Sequence, residues 1–228
     1  MKRNIFCIGF CMFLTVALLF GYVRYRSDHK PVFAIAEEEK NIYLTFDDGP
    51  SDSTTPYILE TLQEEDVKAT FFIIGKQAAL RPGLIERIYE NGHSIGIHSY
   101  THDYAEIYAS PEALLKDIKK CSAVLENILG LETHLYRFPG GSFTLRKELV
   151  DCVKAAGYEY VDWNASNRDA ELIGAGADDL YRAAIATPTD KKEIIMLMHD
   201  SAHRKNTVQA LKSVIRYYKN AGYKFKTL

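Results

Sequence analysis

Two short stretches of this chain carry residues whose types and spacing suit joint chemistry. Asp47 and Asp48 stand side by side at the end of an apolar run, Ile42 to Phe46, and Gly49-Pro50 then turns the chain. Neighbouring carboxylates at the mouth of a strand repel each other, and they are costly to desolvate unless a cation or a proton settles them. About fifty residues further on, His98-Ser-Tyr-Thr-His102 offers two imidazoles at metal-ligand spacing. One carboxylate and two imidazoles form a facial set for a catalytic divalent metal with positions left open. Taken alone, the acids read as a polar turn and the histidines as chance spacing. Their joint occurrence after strand-like runs favours the metal site.

These residues need a scaffold, and the pattern around them supplies one. Strand-like runs at 42–46, 69–74, 94–98, 135–138, 158–163, 194–198 and 223–225 alternate with helical segments at 55–65, 82–91, 111–129, 144–156, 178–186 and 208–221. The segment 111–129 has Ser110 as N-cap, Pro111 at its first position and Gly130 at its end. Repeated βα units predict a parallel sheet, here a distorted (β/α) barrel of about seven strands. In such barrels active residues gather at the C-terminal ends of strands. Asp47, Asp48, His98, Arg137, Trp163 and His199 all fall at or just past such an end.

The 228 residues suit one large domain, or one domain plus an anchor. A net charge of −2 and the lack of a basic, aromatic-interleaved stripe argue against a nucleic-acid partner. Fifteen tyrosines suit strands and rims, and also a sugar groove. The four cysteines form no disulfide framework, and nothing indicates a Cys121–Cys152 pair. Lys2 and Arg3 precede an uncharged run from Ile5 to Val23, whose helical length of about 28 Å approaches the hydrocarbon thickness. The run exceeds a signal-peptide core of about 7–15 residues, so residues 1–26 read as an uncleaved transmembrane helix. The alternative is secretion after cleavage near Ala36. Residues 27–40 read as a stalk and 41–228 as the catalytic domain. Basic residues flank the run almost equally, so charge leaves its orientation open.

From residue 40 onward the chain resembles the NodB-type polysaccharide deacetylases (carbohydrate esterase family 4). Thr45-Phe-Asp47-Asp48-Gly-Pro50 matches the first family motif, and His98-Ser-Tyr-Thr-His102 the second. Arg137-Phe-Pro-Gly-Gly141 resembles the third, Asp162-Trp163 through Asp169 the fourth, and Leu197-Met-His199-Asp200 the fifth. The third motif often reads Arg-Pro-Pro-Tyr. Here Gly140 replaces the aromatic residue, and one wall of the sugar groove is expected to be missing.

The resemblance implies a metal-dependent hydrolase that removes acetyl groups from N-acetylated sugars. Asp48, His98 and His102 would hold one divalent ion, Zn²⁺ first, with Co²⁺, Mn²⁺ or Fe²⁺ also fitting. Asp47 would be the base that activates a metal-bound water, with Arg137 as its partner. The Gly140 N–H would help to hold the oxyanion, and His199, paired with Asp169, would be the general acid. Trp163 and Leu197 would line the acetyl-methyl pocket. Asp103 would be an outer acceptor behind His102, Asp200 would orient the loop after His199, and His93 would support a turn. His29, His134 and His203 read as surface residues.

An anchored extracellular enzyme needs a nearby polymer, which makes peptidoglycan N-acetylglucosamine or N-acetylmuramic acid the expected substrate. The alternatives are chitin-oligosaccharide or exopolysaccharide deacetylation, an acetyl-xylan esterase, or an inactive wall-binding module. The intact acid and histidine set argues against the last. A monomer is expected.

Overall fold

The computed structural model describes Arg24 and residues 39–228. Apart from Arg24, the expected anchor over 1–26 lies outside the described residues, as does most of the stalk. No described helix is long and apolar enough to cross a membrane.

Eight strands form one sheet: β1 (Asn41–Gly49), β2 (Thr70–Ile74), β3 (Ser94–Ser99), β4 (Leu135–Tyr136), β5 (Glu159–Tyr160), β6 (Ala165–Ser166), β7 (Glu193–His199) and β8 (Lys224–Lys226). The order is β5-β4-β3-β2-β1-β7-β6, and all pairs are parallel. β7 runs along one edge of β1 from Asn41 to Asp47. The other edge is shared, with β8 pairing at Asn41–Tyr43 and β2 joining from Thr45 onward. Among the described residues β5 and β6 do not pair with each other, so the sheet is an open, curled half-barrel rather than a closed barrel.

The helices are α1 (Thr55–Glu64), α2 (Gly75–Leu80), α3 (Pro82–Glu90), α4 (Tyr104–Ile107), α5 (Pro111–Leu129), α6 (Lys147–Ala155), α7 (Ala177–Ala186) and α8 (Lys205–Asn220). α5 has the predicted caps. Ser110 Oγ accepts from Ala113 N at 3.2 Å, and Gly130 ends the helix at φ +70°.

Strand alternation sorts the chain into two faces. Ile42, Leu44 and Phe46 of β1, with Met196 and Met198 of β7, join the apolar core with Leu59 and Leu62 of α1, Ile118 and Leu125 of α5, and Leu211 and Ile215 of α8. Each such side chain, fully buried, contributes about 1.5–3 kcal/mol by leaving water. The residues between them, Thr45, Asp47, Leu197 and His199, share the opposite face. Register sets Thr45 beside Leu197 and Asp47 beside His199.

Some boundaries differ from expectation. The strands expected over 135–138 and 158–163 keep only two residues each, and the carbonyls of Arg137 and Asp162 face site side chains, His98 Nδ1 and Arg137 Nη2. The helix expected from Thr144 begins at Lys147. α2, α4 and β6 were not foreseen, since each is too short to establish a period.

Candidate active site

The two acids of the first motif share one pocket because the strand is bent between them. The β1–β2 register slips between Asp47 and Gly49, and Asp48 sits at φ +74°. Such a bulge re-aims a side chain that would otherwise point to the far face. Asp47 keeps its place on the inner face, nearly fully buried.

Asp48 Oδ1 lies 3.2 Å from His102 Nε2 and 3.4 Å from His98 Nε2. The ligand atoms of the three residues all lie within 4.8 Å of one another. His98 Nδ1 stands 3.0 Å from the Arg137 carbonyl. A carbonyl only accepts, so Nδ1 carries the hydrogen and the Nε2 lone pair is left facing Asp48. Asp48 Oδ1 is itself buried without a hydrogen-bond partner. A lone pair facing an orphaned carboxylate oxygen is a poor arrangement unless a cation sits between them, so these residues fit a divalent metal. Burial opposes ionisation of Asp48, but His102 and His98 outweigh it and hold the carboxyl below its usual range. Burial likewise opposes the charge on His102, and Asp48 outweighs it, raising that imidazole.

The loop bearing His102 is clamped by Asp117 of α5. Its Oδ2 accepts from Ser99 Oγ at 2.6 Å and Tyr100 N at 2.7 Å, and its Oδ1 from Thr101 N at 3.0 Å and Thr101 Oγ1 at 3.1 Å. Ser99 Oγ in turn accepts from His102 N at 2.8 Å. Asp117 was missed at the sequence level. Its signal was present as an acid buried on the apolar stripe of Leu114, Ile118 and Cys121.

Arg137 is fully buried, so its pairing with Asp47 is an interior ion pair. Nη1 donates to Asp47 Oδ1 at 3.0 Å and Thr45 Oγ1 at 2.6 Å, Nε to Val161 O at 2.9 Å, and Nη2 to Asp162 O at 3.3 Å. Its guanidinium also lies over the Phe72 ring at 4.1 Å. Burial lowers its pKa, and Asp47 works against that fall. One cation thus orients the Asp47 carboxylate and fills the curl of the sheet.

Across the site, His199 Nδ1 donates to Asp169 Oδ1 at 2.6 Å. Asp169 Oδ2 accepts from His199 N at 3.0 Å and from Thr207 Oγ1 at 2.7 Å. Burial pushes His199 down, but Asp169 outweighs it and raises the imidazole to about 9. Burial pushes Asp169 up, and His199 brings it below its usual value.

Gly140, Trp163 and Leu197 lie around these groups. Asp162 accepts from Ser142 N at 2.9 Å and from Ser142 Oγ, fixing the Gly140–Ser142 loop. No hydrogen bond within the described residues uses the Gly140 N–H. Trp163 is half-buried, 5.8 Å from the Arg137 guanidinium. Leu197 is nearly buried on the inner face.

The secondary assignments fare unevenly. Asp103 is a helix cap rather than an acceptor behind His102, with Oδ1 taking Ala105 N at 3.0 Å and Glu106 N at 3.3 Å. Asp200 ties the start of the loop after His199 to β1 and the segment that follows it. Its N–H donates to Asp47 O at 3.0 Å, and its carbonyl and Oδ2 accept from Ser51 Oγ and Thr55 Oγ1, both at 2.7 Å. Burial raises its carboxyl to about 7. His93 is buried, accepts from Ala69 N at 3.2 Å, and is lowered by burial to about 4. His134 and His203 are exposed, and His29 lies outside the described residues. Cys121 and Cys152 are free thiols.

Residues 34–161 match the family model described as polysaccharide deacetylase, and the chain belongs to that family of hydrolases. It is 34% identical over 195 residues to a peptidoglycan-N-acetylglucosamine deacetylase of Bacillus cereus, covering 83% of this chain and 70% of that protein. A Listeria monocytogenes peptidoglycan-N-acetylglucosamine deacetylase is 34% identical over 193 residues, 85% of this chain but 39% of the longer relative. Among solved structures, a Streptococcus mutans CE4 esterase superposes with a TM-score of 0.79 at 30% identity, covering 83% of this chain and 86% of that one.

Proposed function

We propose that this chain removes acetyl groups from N-acetylglucosamine or N-acetylmuramic acid in peptidoglycan. The observation that carries the chemistry is the meeting, on one sheet face, of the Asp48–His98–His102 set, the Arg137-paired Asp47 and the Asp169-paired His199. Curated relatives that act on peptidoglycan N-acetylglucosamine support the substrate.

A divalent ion held by Asp48, His98 and His102 would supply Lewis acidity, polarising the acetyl carbonyl and lowering the pKa of a water from about 15.7 to about 7 in the best zinc cases. Asp47 takes the proton of the attacking water, its carboxylate fixed by Arg137. The Gly140 N–H faces the charge that develops on the acetyl oxygen. His199 starts protonated and gives its Nε2 proton to the departing nitrogen, while Asp169 holds the ring by Nδ1. Trp163 and Leu197 exclude water around the acetyl methyl. The uncharged run from Ile5 to Val23 supports a single-pass anchor with the domain outside the cell, where the polymer lies.

The test is acetate release by the purified protein from de-cross-linked peptidoglycan and from chitin oligomers, with chelator and with added Zn²⁺ or Co²⁺. Chelator-sensitive release from peptidoglycan is the expected result. Release from chitin oligomers alone moves the substrate, and acetate from neither overturns the deacetylase reading.

A further inference from the structure

The open wall expected at Gly140 is filled from another loop. Gly140 and Gly141 both adopt left-handed backbone, at φ +76° and +81°. A Cβ on Gly140 would stand 3.0 Å from Tyr104 Oη and 3.1 Å from its ring. A Cβ on Gly141 would stand 2.8 Å from the Phe143 ring and 3.0 Å from Trp163. The tandem glycines therefore leave room for the Tyr104 ring from another loop, and for Phe143 of their own loop with Trp163.

Both outer rings are open to solvent: Tyr104 is 49% exposed and Phe143 65% exposed. Neither is loose. Tyr104 packs edge-on against the metal-set residue His102 at 5.4 Å and against Tyr108 at 5.8 Å. Phe143 packs edge-on against Trp163 at 5.4 Å. A solvent-facing aromatic ring held in a fixed orientation at the rim of a polar site is a ready-made binding surface. A pyranose presents a flat face of C–H groups that such a ring can cover, while its hydroxyls remain in water.

We infer that Tyr104 and Phe143 form the sugar-binding walls of this site, Tyr104 against the acetylated residue and Phe143 against its neighbour in the chain. This rests on the deacetylase reading for its substrate class, an N-acetylated β-linked glycan. Tyr104 lies between His102 and Gly140, so it positions the sugar whose acetyl group meets the metal set and the Gly140 N–H. Phe143 lies beyond Gly141, on the Trp163 side. A substrate of at least two sugars is needed to meet both rings.

The test uses the full-length protein in detergent, with chitotetraose and soluble peptidoglycan glycan strands as probes. Binding is read from the fluorescence of Trp163, the single tryptophan of the chain. Acetate release gives kcat and KM, and metal content is measured on each variant. Tyr104→Ala should weaken binding and raise KM about tenfold, equivalent to about 1.4 kcal/mol, with kcat falling less than threefold. Tyr104→Phe should stay within threefold of wild type, since the ring is kept. Phe143→Ala should raise KM for chitotetraose at least threefold more than for the monosaccharide N-acetylglucosamine.

An unchanged KM and affinity in Tyr104→Ala would overturn the inference. So would loss of metal from that variant, because the ring would then act through His102 and not on the sugar. Failure of wild type to bind either glycan overturns it too. A wild type that binds but releases no acetate, with binding lost in Tyr104→Ala, keeps the walls and sinks the proposed function instead.

Discussion

Replacing Asp169 by Asn removes a negative charge 2.6 Å from His199 Nδ1 while keeping an amide that can still accept from His199 N and Thr207 Oγ1. Asp169 is the chief reason that His199 rises from 6.5 to about 9 against the pull of burial. That rise corresponds to about 3 kcal/mol, at about 1.36 kcal/mol per pKa unit. Because the folded value lies above the unfolded one, the pair contributes its full stability below about pH 6.5 and loses it as pH rises through about 9. The same shift governs the acid. At pH 8 a group with pKa near 9 is mostly protonated, whereas one returned to 6.5 or below is about 3% protonated. Asp169→Asn should therefore lose activity about thirtyfold at pH 8 and much less at pH 6. Its alkaline limb should move down by about two and a half units. A bound divalent ion lowers the His199 pKa in both proteins, so the difference between them is the measured quantity. The assay is acetate release from pH 5 to 10, with thermal midpoints over the same range. An alkaline limb that stays at the wild-type position would refute the argument that Asp169 keeps His199 protonated.

Other expectations follow from the same geometry. Asp47→Asn should retain stoichiometric metal, because Asp47 is not in the ligand set, yet lose about 10²–10⁴ in kcat; near-native turnover would remove Asp47 from the base role. His102→Ala should lose the metal itself, measured as ions per chain after desalting, and full occupancy would remove His102 from the ligand set. Asp117→Ala strips the acceptors of four hydrogen bonds and leaves the Tyr100 and Thr101 N–H groups without partners. It should cost about 2–4 kcal/mol in denaturant unfolding and weaken metal affinity; an unchanged unfolding midpoint would mean that the loop is held by something else.

Local signals determined much of this protein on their own. Apolar runs broken by turns and caps marked β1, β2, β3, β7 and the long α5, since periodicity and capping are properties of neighbouring residues. The same runs set Asp47, His98 and His199 at the C-terminal ends of parallel strands, where a site had to form. Residue chemistry then singled out the metal set. Tertiary structure alone decided the rest, because the deciding contacts join residues far apart in the chain. The two-residue strand β6 exists only because β7 presents a ladder, the lengths of β4 and β5 were set by their partners, and the sheet stays open because β5 and β6 do not meet. Whether Asp48 shares the pocket of Asp47 depended on a register slip against β2. That Arg137 is a buried strut depended on four acceptors brought by two other segments, β1 and residues 161–162. Tyr104 carries no local mark of its role, and Asp117 only its place on an apolar helix stripe; each acts across a gap that only the folded chain closes.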